Sequence, residues 1–217
     1  MYYKLTPSVD TKVIGNVNSQ TEDAIFPQIL DGQLFSRDIF LKKIDNPLTV
    51  LTPNAILTKN ARLTDVIGGA STAIVGQMII SNRLKLILEG VNDAKVQFFP
   101  LSVIEKEITH INYWLICAYD TDMEFINYAQ SKIELVGLGS QKIKDVLIQD
   151  YKHFDSLIKE IQLPERLSIT KVSLIDQCNK DLLVLSWVEG GIGFYVSKKI
   201  KSEIENSGCT GIQFSPI

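Results

Sequence analysis

Ile79-Ile80-Ser81-Asn82-Arg83-Leu84-Lys85-Leu86-Ile87-Leu88-Glu89-Gly90 carries a strand end, a helix start and a helix stop in one short run. Ser81 can take an orphan amide of a first helical turn on its hydroxyl, which makes it an N-cap. Leu84, Leu88 and Val91 then share one helical face, and Gly90 closes the helix after Glu89. Downstream, Lys95 to Val103 predicts a strand.

The same pattern recurs near the C-terminus. Tyr195 to Ile217 aligns without gaps on Ile79 to Leu101, at an offset of 116 residues (197 minus 81). Identical pairs are Ser81/Ser197, Lys85/Lys201, Glu89/Glu205, Gln97/Gln213, Phe98/Phe214 and Pro100/Pro216. Apolar positions coincide too, as in Leu84/Ile200 and Leu88/Ile204. Ser197 is thus expected to cap a helix to about Asn206, with Gly208 as its stop and a strand from Ile212 ending at Pro216. The offset is far longer than a solenoid repeat. It predicts one helix–strand unit used twice. Leu86, Ile87 and Val91 stand opposite Ser202, Glu203 and Ser207, so the first helix is expected to lie deeper.

Between the copies, strands are expected at Asn112–Tyr119 and Glu124–Tyr128, joined in a hairpin by Asp120-Thr121-Asp122. Ile133–Val136, Ile143–Ile148, Ser168–Ile175 and Leu182–Val188 read as further strands. Asp150 caps a helix whose apolar face holds Tyr151, Phe154, Leu157, Ile158 and Ile161. Before the first copy, Tyr2–Leu5 predicts a strand, Ser8–Glu22 a loop and Leu34–Ile44 a short helix. Leu48–Leu51 reads as an extended stretch, and Gly68-Gly69-Ala70-Ser71 as a break. The fold class is therefore α+β: a single domain over residues 1–217, mainly antiparallel sheet with a few helices, its first 60 residues carrying the weakest pattern.

The 217 residues carry a net charge of −3, which argues against general nucleic-acid binding. No apolar run reaches the length of a membrane helix, and the N-terminus is not patterned as a secretory signal. Cys117, Cys178 and Cys209 form no CxxC pair, which fits reduced thiols in a cytoplasmic protein.

Catalytic and metal signatures are thin. His110 and His153 have no histidine or cysteine at ligand spacing. Gly137-Leu138-Gly139-Ser140 lacks a third dinucleotide-loop glycine and a Walker lysine, and Gly190-Gly191-Ile192-Gly193 reads as a turn. Ser81 and Ser197 are caps rather than nucleophiles. No cofactor or metal is implied, and the chain is expected to act by binding rather than by catalysis. Asp120, Asp122 and Glu124 are the densest acidic cluster. They read either as a solvated turn or as a partner-binding surface for cationic residues.

Several strings resemble a bacterial immunity-protein superfamily of polymorphic toxin systems. They are Leu63-Thr64-Asp65-Val66, Ile79 to Lys85, Val96-Gln97-Phe98-Phe99-Pro100, Tyr113-Trp114-Leu115 and Ile126-Asn127-Tyr128 with Ser131-Lys132. Val196 to Lys201 and Gly208 to Phe214 resemble that superfamily's C-terminus. Asn127 stands where the superfamily has an aspartate. The resemblance implies an intracellular antitoxin that binds a cognate toxin domain; no nucleic-acid or membrane partner is expected, from the net charge and the absence of a long apolar run. It supplies no shared binding residues. A small hydrolase or transferase with an unrecognised site, and an adaptor or structural subunit of a secretion apparatus, remain alternatives.

Overall fold

The two copies become two strand–helix–strand units in the computed structural model, which describes residues 1–26, 33–34, 41–68 and 78–217. In the first unit β6 (Val66–Ile67) and β7 (Met78–Ser81) lead into α2 (Asn82–Glu89), then β8 (Val96–Glu105) and β9 (Ile108–Ala118). In the second, β13 (Leu182–Val188) and β14 (Gly191–Ser197) lead into α4 (Lys198–Asn206) and β15 (Ile212–Pro216). The caps act as their spacing predicts. Ser81 Oγ accepts from the Leu84 amide at 3.3 Å and Ser197 Oγ from the Ile200 amide at 3.4 Å. Ser81→Ala and Ser197→Ala should therefore each cost about 1 kcal/mol in urea unfolding. A large difference between them would mean that the units are not equivalent.

The fourth strand of the second unit comes from the other end of the chain. β1 (Tyr2–Pro7) lies between β14 and β15 as β9 lies between β7 and β8. The registers coincide. Ser81 faces Tyr113 and Ser197 faces Tyr2; Pro100 faces Trp114 and Pro216 faces Tyr3. Val66 faces Ile80 as Leu182 faces Val196, so the ungapped offset extends back to β6 and β13. Side chains follow. Lys85 bonds Glu89 at 2.6 Å and lies over the rings of Trp114 and Phe98. Lys201 bonds Glu205 at 2.6 Å and lies over Tyr3 and Phe214.

Each unit is extended into a mixed, mainly antiparallel sheet. The first is joined by β2 (Thr21–Ile25) and β5 (Asn54–Leu57), in the order β2-β5-β8-β9-β7-β6. The second is joined by β10 (Lys132–Val136), β11 (Lys142–Asp145) and β12 (Arg166–Lys171), in the order β11-β10-β12-β13-β14-β1-β15. β3 (Gln33–Leu34) and β4 (Val50–Leu51) pair separately. The fold is α+β. Pro216 lies on an edge strand, where its missing amide costs nothing.

Strand alternation divides the core into three layers. Leu84, Leu88, Ile200 and Ile204 pack between the two sheets with Ile80, Ile116, Val184 and Val196. The outer face of the six-stranded sheet buries Ala55, Leu57, Phe99, Leu101 and Leu115 against Val50 and Ile44 of the preceding segment. The Gln97 side chain ties that covering segment down, accepting from the Ile44 amide at 3.0 Å and donating to the Lys42 carbonyl at 2.8 Å. On the outer face of the seven-stranded sheet, Leu183, Leu185 and Tyr195 lie under α3 (Tyr151–Glu160). Asp150 caps α3 through the His153 amide at 2.8 Å, and Phe154 packs on Tyr128.

Some expectations need correction. Glu124–Tyr128 is not a strand and forms no hairpin with β9. Met123–Phe125 is a 3-10 turn, and Ile126 makes a single bridge to Leu174. The chain turns inward there because Met123, Ile126 and Tyr128 are buried beside α3. The expected greater depth of α2 is met in part: α2 buries Leu84 and Leu88 as α4 buries Ile200 and Ile204, but α2 also packs Ile87 partly buried against the same core where α4 exposes Glu203. The related units place both helices in one layer between the sheets. Leu86 instead points out and is 59% exposed.

Gly191 to Gly193 belong to β14, and only Glu189-Gly190 turn. Gly193 gives the Tyr195 ring room, since a Cβ there would lie 2.8 Å from it. Within Ser8–Glu22, Asp10 caps a one-turn helix, α1 (Thr11–Ile14), and β2 has begun by Thr21. Pro47–Thr49 is a 3-10 turn before β4. The helix expected over 34–44 falls mostly outside the described residues, but Leu34 is in β3 and residues 41–44 are not helical. Residues 69–71 of the expected break also lie outside the described residues.

Candidate functional site

Asp120, Asp122 and Glu124 follow β9 and converge on one lysine. Lys95 Nζ lies 3.1 Å from Asp120, 3.4 Å from Asp122 and 3.5 Å from Glu124. The three carboxylates do not share an environment. Asp120 and Glu124 are exposed, while the Asp122 side chain is fully buried. Its Oδ1 accepts from Lys180 Nζ at 2.6 Å and its Oδ2 from the Val184 amide at 2.9 Å. The Asp122 amide donates to the Val184 carbonyl at 2.7 Å. Asp122 therefore fastens the first unit to the second and offers no carboxylate to a partner. At Asp120, partial burial pushes the pKa up. The Thr121 amide and Lys95 outweigh it and hold the carboxyl below its ordinary range.

The two units show why that fastening is needed. Where the first unit's Asp65 meets the second unit's α4–β15 loop, the join is tight. Asp65 Oδ2 accepts from the Thr210 amide at 2.9 Å and from its hydroxyl at 3.2 Å. Arg83 Nη1 donates to the carbonyls of Ser207 and Gly208 at 3.3 and 3.4 Å. Thr64 and Gly211 are in direct contact, since a Cβ on Gly211 would lie 2.4 Å from Thr64 Oγ1.

The opposite join has the corresponding residues Lys180, Asp181, Lys199 and Lys95 at Thr64, Asp65, Arg83 and Gly211. Two lysines replace the threonine–glycine contact, and the buried Asp122 sits between their ammonium groups. The Ala94 carbonyl, at the Thr210 position, accepts from the Tyr119 hydroxyl instead. This seam stays open as a cleft of about 370 Å³ between α2 and α4. Its walls include Leu86, Ile87, Asp93, Lys180, Asp181 and Lys199.

Asp181 repeats the role of Asp65 at the helix cap. Its Oδ1 accepts from Ser197 Oγ at 2.6 Å, as Asp65 Oδ1 accepts from Ser81 Oγ at 2.6 Å. Its Oδ2 is held by Lys199 Nζ at 2.8 Å. The Lys199 and Ser197 bonds lower its pKa against a smaller push upward from burial. A depressed native pKa means that the native state binds fewer protons than the unfolded chain. The resulting stability is present above the unfolded value of about 3.9 and is lost as pH falls through the native one. Urea midpoints should therefore fall between pH 5 and pH 3 by less in Asp181→Asn than in the unsubstituted chain. An equal fall would show that Asp181 contributes nothing to acid sensitivity.

The histidines, cysteines and glycine turns that could have served catalysis are dispersed. His110 on β9 faces Glu105 at 3.2 Å, while His153 lies on α3 and takes the Gln149 amide on Nδ1 at 3.4 Å. Cys117 is buried, which pushes its thiol well above the ordinary value. Cys178 lies 3.2 Å from the Tyr2 hydroxyl, and Cys209 3.1 Å from the Ser207 hydroxyl. Leu138–Ser140, after Gly137, is a short 3-10 turn with Gly139 at φ 65°. Among the described residues no group of three or more His, Cys, Asp or Glu could hold a metal ion. Among them, too, no helix is long and apolar enough to cross a membrane.

Sequence spacing located the acidic turn but missed Lys95, Lys180, Asp181 and Lys199. Asp65 and Asp181 stand at the same offset as the two caps, so extending the alignment toward the N-terminus would have found them. A scan against protein-family models finds no match for this chain, and a search of curated proteins finds none either.

Proposed function

We propose that the chain is an immunity protein, which binds a cognate bacterial toxin domain in the cytoplasm and neutralises it by stoichiometric complex formation. The observation that carries this reading is the open seam. A concave surface with fixed charges and an exposed leucine suits a protein partner. Leu86 can serve as an apolar anchor, with Asp93, Lys180, Asp181 and Lys199 supplying orientation. A standard interface of roughly 1,600 Å² in total would extend well beyond the cleft. The likeness of the helix–strand strings to the immunity superfamily supports the same reading.

Coexpression tests it. Cells producing the toxin domain encoded beside this gene should survive when the chain is present, and the two proteins should copurify at a fixed ratio. Neither rescue nor copurification would sink the proposal.

A further inference from the structure

We propose that the free edge of β15 pairs with β15 of a second copy of the chain, antiparallel and about a two-fold axis at Phe214. The free backbone groups follow from the ladder with β1. Ser8 gives its amide to the Gly211 carbonyl at 2.8 Å, and Ile217 gives its amide to the Tyr2 carbonyl at 3.1 Å. Hydrogen-bonded pairs recur at every second residue of an antiparallel ladder, so Gly211, Gln213, Ser215 and Ile217 turn their backbone groups toward β1. Ile212, Phe214 and Pro216 turn theirs outward, and among the described residues nothing takes those groups. In the first unit the chain covers the same place itself. The Pro100 carbonyl, at the position of Pro216, accepts from the Thr52 hydroxyl, and Gln97 holds residues 42–44. Gln213, at the position of Gln97, is exposed.

The composition of the edge selects a second copy as its occupant. The other three sheet edges are guarded against self-pairing. On β11, a two-fold register centred on Ile143 sets Lys142 against Lys144, and one centred on Lys144 sets that lysine against itself. β2 carries Glu22 and Asp23 side by side. β6 is two residues long, and its Val66 amide already goes to the Thr210 carbonyl at 3.1 Å. β15 has five residues and no charge. Centred on Phe214, the register lets each Phe214 amide meet the Phe214 carbonyl of the other copy, and each Ile212 amide meet its Pro216 carbonyl. Pro216, which has no amide to give, falls opposite the Ile212 carbonyl, so only that carbonyl is left to water. Gln213 stands opposite Ser215 of the second copy on the outer face, where the two side chains can share a hydrogen bond. On the other face Ile212 and Phe214, both half-buried against the central core, are covered further. A closed two-fold pair of this kind joins two seven-stranded sheets into one and leaves neither β15 edge free.

Sedimentation equilibrium of the intact chain, from micromolar to submillimolar concentration, tests the inference. The mass should rise from that of one chain to that of two. The double variant Gln213→Glu/Ser215→Glu sets carboxylates directly opposite each other across the axis and should weaken self-association roughly tenfold. Gln213→Lys/Ser215→Lys should do the same with ammonium groups. Mixing the two variants pairs opposite charges in the same register and should restore the dimer. Circular dichroism checks that both variants keep the fold. Leu147→Glu, at a leucine 92% exposed elsewhere on the chain, should leave the dimer unchanged. Amide hydrogen exchange tests the unsubstituted chain independently: the Ile212 and Phe214 amides should exchange freely in dilute solution and become protected as concentration rises. A chain that stays monomeric throughout would overturn the proposal. So would a dimer that the glutamate pair leaves intact, a mixture that fails to associate, loss of the dimer in Leu147→Glu, or Ile212 and Phe214 amides whose exchange ignores concentration. Self-association is independent of toxin binding, so none of these outcomes alters the coexpression result and the two proposals fail separately.

Discussion

Replacing Asp122 with alanine is expected to destabilise the chain by roughly 3–5 kcal/mol, the range for removing one partner of a buried ion pair. The carboxylate is fully buried and takes two donors, Lys180 at 2.6 Å and the Val184 amide at 2.9 Å, with Lys95 as a second ion-pair partner at 3.4 Å. Alanine leaves two ammonium groups facing each other across the open seam. It also strips a buried amide of an acceptor, which alone costs about 1–3 kcal/mol. Asp122→Asn should cost less, because its amide oxygen can still accept from Val184. Adding Lys180→Met to Asp122→Asn should recover part of that loss, since it removes one of the stranded cations. Equilibrium urea unfolding measures all three. A cost below about 1 kcal/mol for Asp122→Ala would show that the carboxylate does not fasten the units.

This residue also shows where a sequence reading stops. Asp120, Asp122 and Glu124 were visible because they are close together in the chain. Their cations were not, because Lys95 precedes the turn by a whole hairpin and Lys180 lies on the far side of α3. With only the local pattern, a turn between two strands was the natural expectation. The fold draws Asp122 inward to Val184, and the following residues become a 3-10 turn beneath α3. The pattern separates exposed turns from buried ones only if the distant partner is known.

The helix–strand units were legible for the opposite reason. A serine cap, apolar positions four apart and a strand ending at proline are local signals, and they occur twice in one register. What could not be read was the fourth strand of the second unit. Tyr2-Tyr3 in β1 corresponds to Tyr113-Trp114 in β9, a match too short to find without the register of the sheets. The extra apolar residues of α2 divide between two roles: Ile87 packs against the central core, where its counterpart Glu203 is exposed. Leu86 and Ser202 differ in polarity, yet neither faces the central core. The extra leucine marks a lip of the open seam rather than deeper burial.

Gly211→Ala should destabilise the chain by about 2–4 kcal/mol in urea unfolding. Two separate penalties meet there. The residue has φ +77°, in the left-handed region that costs an L side chain about 1–2 kcal/mol. A Cβ would also lie 2.4 Å from Thr64 Oγ1 and from the Val66 carbonyl oxygen. Thr64 is pinned, because its hydroxyl donates to Val66 at 2.6 Å and accepts from Gln20 at 2.9 Å. The methyl group can be accommodated only by parting the closed seam, which strains the Thr210–Asp65 bonds. Gly208→Ala separates the two penalties. Its φ is +73°, but its Cβ would meet only the Arg83 guanidinium at 3.9 Å, so its cost should stay near 1–2 kcal/mol. The difference between the two variants measures how tightly the seam is shut. Equal costs would mean that the Thr64–Gly211 contact contributes nothing, and that the contrast between a closed seam and an open one has no energetic basis.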